Sequence, residues 1–206
     1  MSHEFKAFDY LVFIGRFQPF HIAHREVIDI ALAQAKQVIL VLGSAQDERS
    51  IKNPFSIAER QQMILSNFDE ATRQRIQFVP VIDLYNDEKW VKAVKDGVND
   101  FIAQRHQNEN EKERKTGLIG HFKDDSSYYL ALFPEWQLVE LENLKNQLSA
   151  TPLRAKYYQG EIDQDHLSVE VQEFLIEFQN SEWYPLLQDA FQQQDDSPVI
   201  LPDESV

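Results

Sequence analysis

The 206-residue chain contains no cysteine. This excludes a disulfide framework, a thiolate zinc site, an iron–sulfur cluster and a cysteine nucleophile. No apolar run approaches the roughly 20 residues of a membrane helix, and Met1–Tyr10 lacks the apolar stretch of a signal peptide, so a cytoplasmic address and no membrane contact are expected. Basic residues are scarce, 20 against 34 acids, for a formal charge of −14. A long nucleic acid is therefore not an expected partner, because neutralising its phosphates needs a surplus of Lys and Arg.

The deficit is uneven. From Tyr157 to Val206 there is no Lys or Arg but there are twelve acids, which leaves 22 acids against 20 bases in residues 1–156. The acidic stretch reads as a solvated helical face followed by a tail. The larger part of the chain is close to neutral and can carry a local cationic cluster. At this length a chain can bury about 70% of the surface its unfolded form exposes, enough for a full core.

What is present alternates. Leu11–Gly15, Val38–Gly43 and Phe78–Ile82 are short β-branched or aromatic runs, with Leu118–Phe122 and Gln137–Leu141 weaker runs of the same kind. Between them Ile22–Lys36 carries Val27, Ile28, Ala31, Leu32 and Ala35 at helical period. Ser56-Ile-Ala-Glu59 is a capping-box pattern that predicts a helix to about Asn67, and Lys89–Arg105 predicts another. Strands alternating with helices imply βαβ units and an α/β fold: a doubly wound parallel sheet of about five strands. Ligands of such sheets bind at the carboxyl ends of the strands, near the reversal of strand order. His106–Lys115 is polar and reads as a loop or a frayed helix end. After Gly160 the pattern is helical, with Val169, Phe174, Leu175 and Phe178 in one segment and Trp183–Phe191 in the next. The expected organisation is a domain over 1–160, a C-terminal helical appendage over 161–193 and a flexible acidic tail over 194–206.

The first strand runs through Gly15-Arg-Phe-Gln-Pro-Phe-His21-Ile-Ala-His24 into the first helix. This places two imidazoles about one turn apart at a helix N-terminus, where orphan N–H groups and the dipole favour anions. Gly15 permits close backbone approach, Pro19 stiffens the loop, and Arg16 adds a guanidinium that can fork onto a phosphate. The set suits hydrogen bonding to a polyphosphate. An HxxH metal pair is the rival reading, with Glu26 and Asp29 as the nearby carboxylates.

Gly15–His24 resembles the GxFxPxHxGH element of the nucleotidyltransferase superfamily, and Leu148-Ser-Ala-Thr-Pro-Leu-Arg154 resembles its ISSTxxR element. Gly43-Ser-Ala-Gln46, Asn53-Pro-Phe-Ser-Ile-Ala-Glu-Arg60, Asn86-Asp-Glu-Lys-Trp90 and Gly120-His-Phe-Lys-Asp124 followed by Ser126–Phe133 are similar to blocks of the nicotinamide mononucleotide (NMN) adenylyltransferases, of archaeal type and of the bacterial type fused to a Nudix hydrolase. The resemblance covers residues 10–160; no Nudix element occurs. It implies a Rossmann-like fold and adenylyl transfer from ATP to NMN, giving NAD and pyrophosphate, with magnesium on the ATP phosphates and no metal ligand from a protein side chain. It implies His21, His24 and Arg154 as catalytic residues. Gly15, Arg16, Phe17, Gly120, Lys123, Ser149 and Thr151 join them on ATP. Ser44, Asn53, Phe55, Arg60, Trp90 and Asp124 are implied on NMN.

Two positions depart from the pattern: Ala23 stands at the glycine of HxGH, and Ala150 at a serine. Alternatives stay open. Trp90 and Phe55 also fit as core aromatics, Arg60 as a partner of Glu59 or Asp69, and Asn53-Pro54 as turn chemistry. Another acceptor (nicotinic acid mononucleotide, pantetheine phosphate, FMN) or a non-catalytic nucleotide-binding module would use the same motifs. The partners expected are small nucleotides, and a homo-oligomer is compatible with the sequence.

Overall fold

Runs of aliphatic residues buried on both sides dictate a parallel sheet, and such runs form the centre of one with five strands. They are β1 (Phe8–Gly15), β2 (Ala35–Leu42), β3 (Ile76–Pro80), β4 (Thr116–Gly120) and β5 (Gln137–Glu140), in the order β3-β2-β1-β4-β5, all parallel. Phe13 lies beside Leu40, Val12 beside Leu118, and Leu118 beside Leu138. The computed structural model describes residues 6–46, 48–107, 114–120, 125–141, 144–145 and 148–201, with the backbone alone for 125–128. The expected α/β doubly wound sheet is thus found. Its weaker strand signals belong to β4 and to β5, an edge strand with no fully buried residue.

The chain forms two compact units: residues 1–15, 23–45 and 70–147, and residues 16–22, 46–69 and 148–206. The whole sheet lies in the first. On one face Tyr10, Val12, Ile14, Ile39, Val41 and Val79 pack with Val91, Val94 and Val98 of α4 (Asp87–Arg105). Each such aliphatic side chain contributes about 1.5–3 kcal/mol by leaving water. Alternation sends Phe13 to the opposite face, where its ring lies 6.2 Å from that of His24 on α1 (Ile22–Gln34). A Cβ at Gly97 would stand 2.8 Å from Val79 Cγ1, so glycine sets the approach of α4 to β3. A short helix that the pattern did not announce, α3 (Glu70–Arg73), precedes β3.

The second unit holds α2 (Ile57–Leu65), α5 (Ala150–Tyr158), α6 (Val169–Phe178) and α7 (Trp183–Gln193). The Ser56 capping box is formed: Glu59 N–H donates to Ser56 Oγ, and Ser56 N–H to Glu59 Oε2 at 2.7 Å. Phe55, Tyr157, Phe174 and Phe178 form an aromatic core with Phe55 at its centre, 5.0–6.4 Å between ring centroids. Tyr184 Oη donates to Tyr157 O at 2.7 Å and Tyr157 Oη to Leu175 O at 2.9 Å. Burial pushes the Tyr157 and Tyr158 phenols well above their ordinary range, keeping both as neutral donors.

After α7 the described residues, to 201, are held. Val199 N–H donates to Arg49 O at 2.8 Å in an antiparallel bridge, and Lys52 pairs with Asp196. Composition alone gave no reason for the bridge, because it is made by backbone groups 150 positions apart. Among the described residues no helix is long and apolar enough to cross a membrane.

Candidate functional site

In the first unit the carboxyl edge of the sheet gathers the loops. Gly43 N–H donates to Gly15 O at 3.0 Å, Ala45 N–H to Val81 O at 3.1 Å and Ser44 N–H to Asp83 Oδ1 at 3.2 Å. Ser44 is buried and held at φ 49°, a left-handed backbone that costs a residue other than glycine about 1 kcal/mol or more and tends to mark functional turns. Trp90 stands in the first turn of α4, edge-on to Tyr129 and Phe133 at 5.9 and 6.1 Å. It is partly buried, so its ring is shared between core and surface. Gly120 ends β4, where a Cβ would meet Leu130 Cδ2 at 2.7 Å, so a larger residue there would displace the Leu130 side chain. Lys123 and Asp124 lie outside the described residues. His24 is half-buried in the first turn of α1. The carboxylates that a metal reading would need are engaged: Asp29 pairs with Arg25 at 3.0 Å, and Glu26 accepts from Lys145 N–H at 2.9 Å.

The second unit brings the rest of the cationic set together. Arg154, on the second turn of α5, is nearly buried. It donates to Gln18 O at 2.7 Å, Ile51 O at 3.1 Å and Thr151 Oγ1 at 3.3 Å. All three acceptors are neutral, and among the described residues no carboxylate pairs with it. Burial, reinforced by the charge of Arg16, pushes its pKa down to about 10. It is still charged at neutral pH, a buried cation with no counterion among the described residues. Arg60 is buried and donates to Arg16 O at 3.0 Å. Arg16 itself is exposed. Ser149 caps α5, its Oγ accepting from Thr151 N–H at 3.4 Å.

The loop that carries these groups is closely specified. Phe17 has φ 54°, the Gln18–Pro19 peptide is cis, and His21 is buried immediately before α1. Asn53 sits in a turn closed by Ser50 N–H to Asn53 O and Asn53 N–H to Ser50 O. Its Oδ1 is buried with no hydrogen-bond partner among the described residues. An unpaired buried acceptor costs about 1–3 kcal/mol, which an incoming donor would recover. The ring of Phe55, by contrast, is taken up by the aromatic core.

The cytidylyltransferase-like family matches residues 12–155, a span bounded by β1 and α5. A nicotinamide/nicotinic acid mononucleotide adenylyltransferase of Acinetobacter baylyi is 55% identical over 193 residues, covering 94% of this chain and 98% of its own. The chain belongs to that adenylyltransferase family. A nicotinamide-nucleotide adenylyltransferase of Pyrococcus furiosus is 26% identical over 198 residues, covering 93% of this chain and 97% of its own. Among solved structures, a bifunctional NMN adenylyltransferase/ADP ribose pyrophosphatase of Francisella tularensis superimposes with a TM-score of 0.76 at 33% identity, over 90% of this chain. This chain spans about half of that bifunctional one, 54%. The same Francisella enzyme has been solved with AMP and a manganese ion.

Within this nucleotidyltransferase three supporting residues were not singled out by sequence. Gln18 is buried and clamps the Phe55 backbone from both sides, Nε2 to Phe55 O at 3.0 Å and Phe55 N–H to Oε1 at 2.9 Å. A polar residue inside the aromatic run Phe17-Gln-Pro-Phe20 was its only signal. Arg49 forks onto Glu59 at 2.6 and 3.0 Å, donates to Pro54 O at 2.6 Å and lies over the Trp183 ring at 4.8 Å. Asp163, one of the twelve acids read as solvated, is buried.

Proposed function

We propose that this adenylyltransferase joins ATP and NMN to give NAD and pyrophosphate. The observation that carries the reading is Arg154, a buried guanidinium bonded, among the described residues, to neutral oxygens and lying in the field of a second arginine. A polyphosphate is the anion that fits it. An oxygen of the NMN phosphate attacks the α-phosphorus of ATP in line. The bond from that phosphorus to the β-bridging oxygen breaks, and its electron pair leaves with pyrophosphate. Nucleophile and leaving group are already ionised, so the protein contributes positioning and charge stabilisation.

In this reading His21 donates to the phosphate chain near the reacting phosphorus, and His24 to the α-phosphate region. Arg154 and Thr151 hold the β- and γ-phosphates with Arg16 assisting. Gly15, Phe17, Gly120, Lys123 and Ser149 shape the ATP side. Ser44, Asn53, Arg60, Trp90 and Asp124 serve the mononucleotide, with Asn53 Oδ1 as a waiting acceptor and Phe55 as the anchor of its loop. Among the described residues no three His, Asp or Glu side chains converge as a metal site. A cationic set suits phosphates, so the accompanying Mg2+ is assigned to the nucleotide, where it would offset phosphate charge.

A second acceptor, nicotinic acid mononucleotide, is favoured by the Acinetobacter relative, whose name carries both bases. Incubating the protein with ATP, Mg2+ and each mononucleotide in turn, and measuring dinucleotide and pyrophosphate, tests both. Product from NMN is expected; absence of product from NMN would sink the reading.

A further inference from the structure

Asp163 lies between two elements of the proposed phosphate site, in a segment whose other acids face water. Its side chain is 4% exposed. Oδ2 accepts from Lys156 Nζ at 2.6 Å, and Oδ1 accepts from His166 N–H at 2.9 Å and contacts His166 Nδ1 at 2.8 Å. Burial pushes this carboxyl up, but the hydrogen bonds from Lys156 and His166 outweigh it and hold the group below its ordinary range. It is therefore ionised throughout the neutral range.

Its two sets of partners lead to different places. Lys156 stands on α5, two residues beyond Arg154. The 163–166 turn ends in the His166 carbonyl, which accepts the N–H of Ile22 at 3.1 Å. Ile22 opens α1, and its N–H is one of the orphan donors of that helix. Satisfying it from outside fixes the peptide that joins Ile22 to His21. One carboxylate thus holds the Arg154 helix through a lysine and the His21 corner through a turn.

We propose that Asp163 is a positioning residue for adenylyl transfer: it sets the 163–166 turn whose carbonyl fixes the His21–Ile22 corner. The proposal rests on the reading of His21 as a group that meets the phosphates. A side chain misplaced by about 1 Å costs on the order of a hundredfold in rate. The turn needs an acceptor at position 163 for the N–H three residues on, which a serine hydroxyl also supplies.

The test compares Asp163→Ala, Asp163→Ser and the exposed neighbour Asp165→Asn, using steady-state kinetics, thermal melts and histidine-labelled NMR of the His21 ring. For Asp163→Ala, kcat should fall tenfold or more while KM for ATP moves less than threefold, and the His21 resonances should shift. Asp163→Ser should recover most of kcat and the wild-type His21 resonances although its pair with Lys156 is lost. Asp165→Asn should match wild type. If Asp163→Ala does not fold, the serine variant carries the test. Unmoved His21 resonances in Asp163→Ala, or a folded serine variant impaired in kcat with displaced His21 resonances, overturns the proposal. Full turnover by His21→Ala would instead sink the catalytic reading of His21, and the NMR arm would still decide whether Asp163 positions it.

Discussion

Arg154 concentrates the chemistry proposed for this family member. Its charge is buried, its donors rest on backbone and hydroxyl oxygens, and Arg16 adds repulsion. Replacing it with alanine should lower kcat/KM for ATP by about two to three orders of magnitude, the range typical of a lost charge-stabilising donor. His21→Ala should cost a similar factor, mainly in kcat, as read by pyrophosphate release. The depressed pKa gives a second expectation. A free guanidinium keeps its proton to far higher pH, whereas burial and the charge of Arg16 bring this one down to about 10. Phosphates bind the protonated form, so KM for ATP should be flat to about pH 9. Above pH 10 it should rise toward tenfold per pH unit, the limit for one linked proton. A flat profile to pH 10.5 would separate Arg154 from ATP binding. The resemblance of residues 148–154 pointed to Arg154; that no carboxylate among the described residues pairs with it was not legible, because two of its three acceptors come from residues 18 and 51.

Elements follow sequence where their signals are local. The Ser56–Glu59 box was readable because both partners lie within one turn, and the helix starts where it says. The same carboxylate also accepts from Arg49, a contact ten residues away that no short pattern encodes. The two roles can be separated by stability. Ser56→Ala should cost about 1 kcal/mol, the usual worth of a cap. Glu59→Ala should cost more, about 2–3 kcal/mol, since it also strips a half-buried guanidinium of its counterion. Urea denaturation of the two variants checks the order; equal losses would show that the Arg49 pair contributes nothing. The helix α3 escaped notice because four residues cannot display a period. The edge strand β5 was faint because half-exposed positions carry little hydrophobic signal.

At the scale of the whole molecule, the alternation of strands and helices foretold the five-stranded parallel sheet. The fate of residues 194–201 was not readable, since acidic, proline-containing sequence fits a free tail equally well. Its pairing with Arg49 joins residues 150 positions apart and steadies the loop that carries Lys52 and Asn53. Removing the chain from Asp195 onward should therefore speed amide hydrogen exchange in residues 48–54 and raise KM for the mononucleotide several-fold, with kcat within twofold. Unchanged exchange in that loop would show that the pairing is incidental.

The bridge at Val199 also has a use in the hands of an experimenter. A chain without a single thiol accepts one new cysteine as a unique point of attachment. Placed at position 199, whose backbone is held by Arg49, a small fluorophore would sit beside the 48–54 loop with no competing label elsewhere. Its emission would follow ordering of that loop in real time as each nucleotide is added, turning a structural tether into an optical reporter of the order of substrate binding.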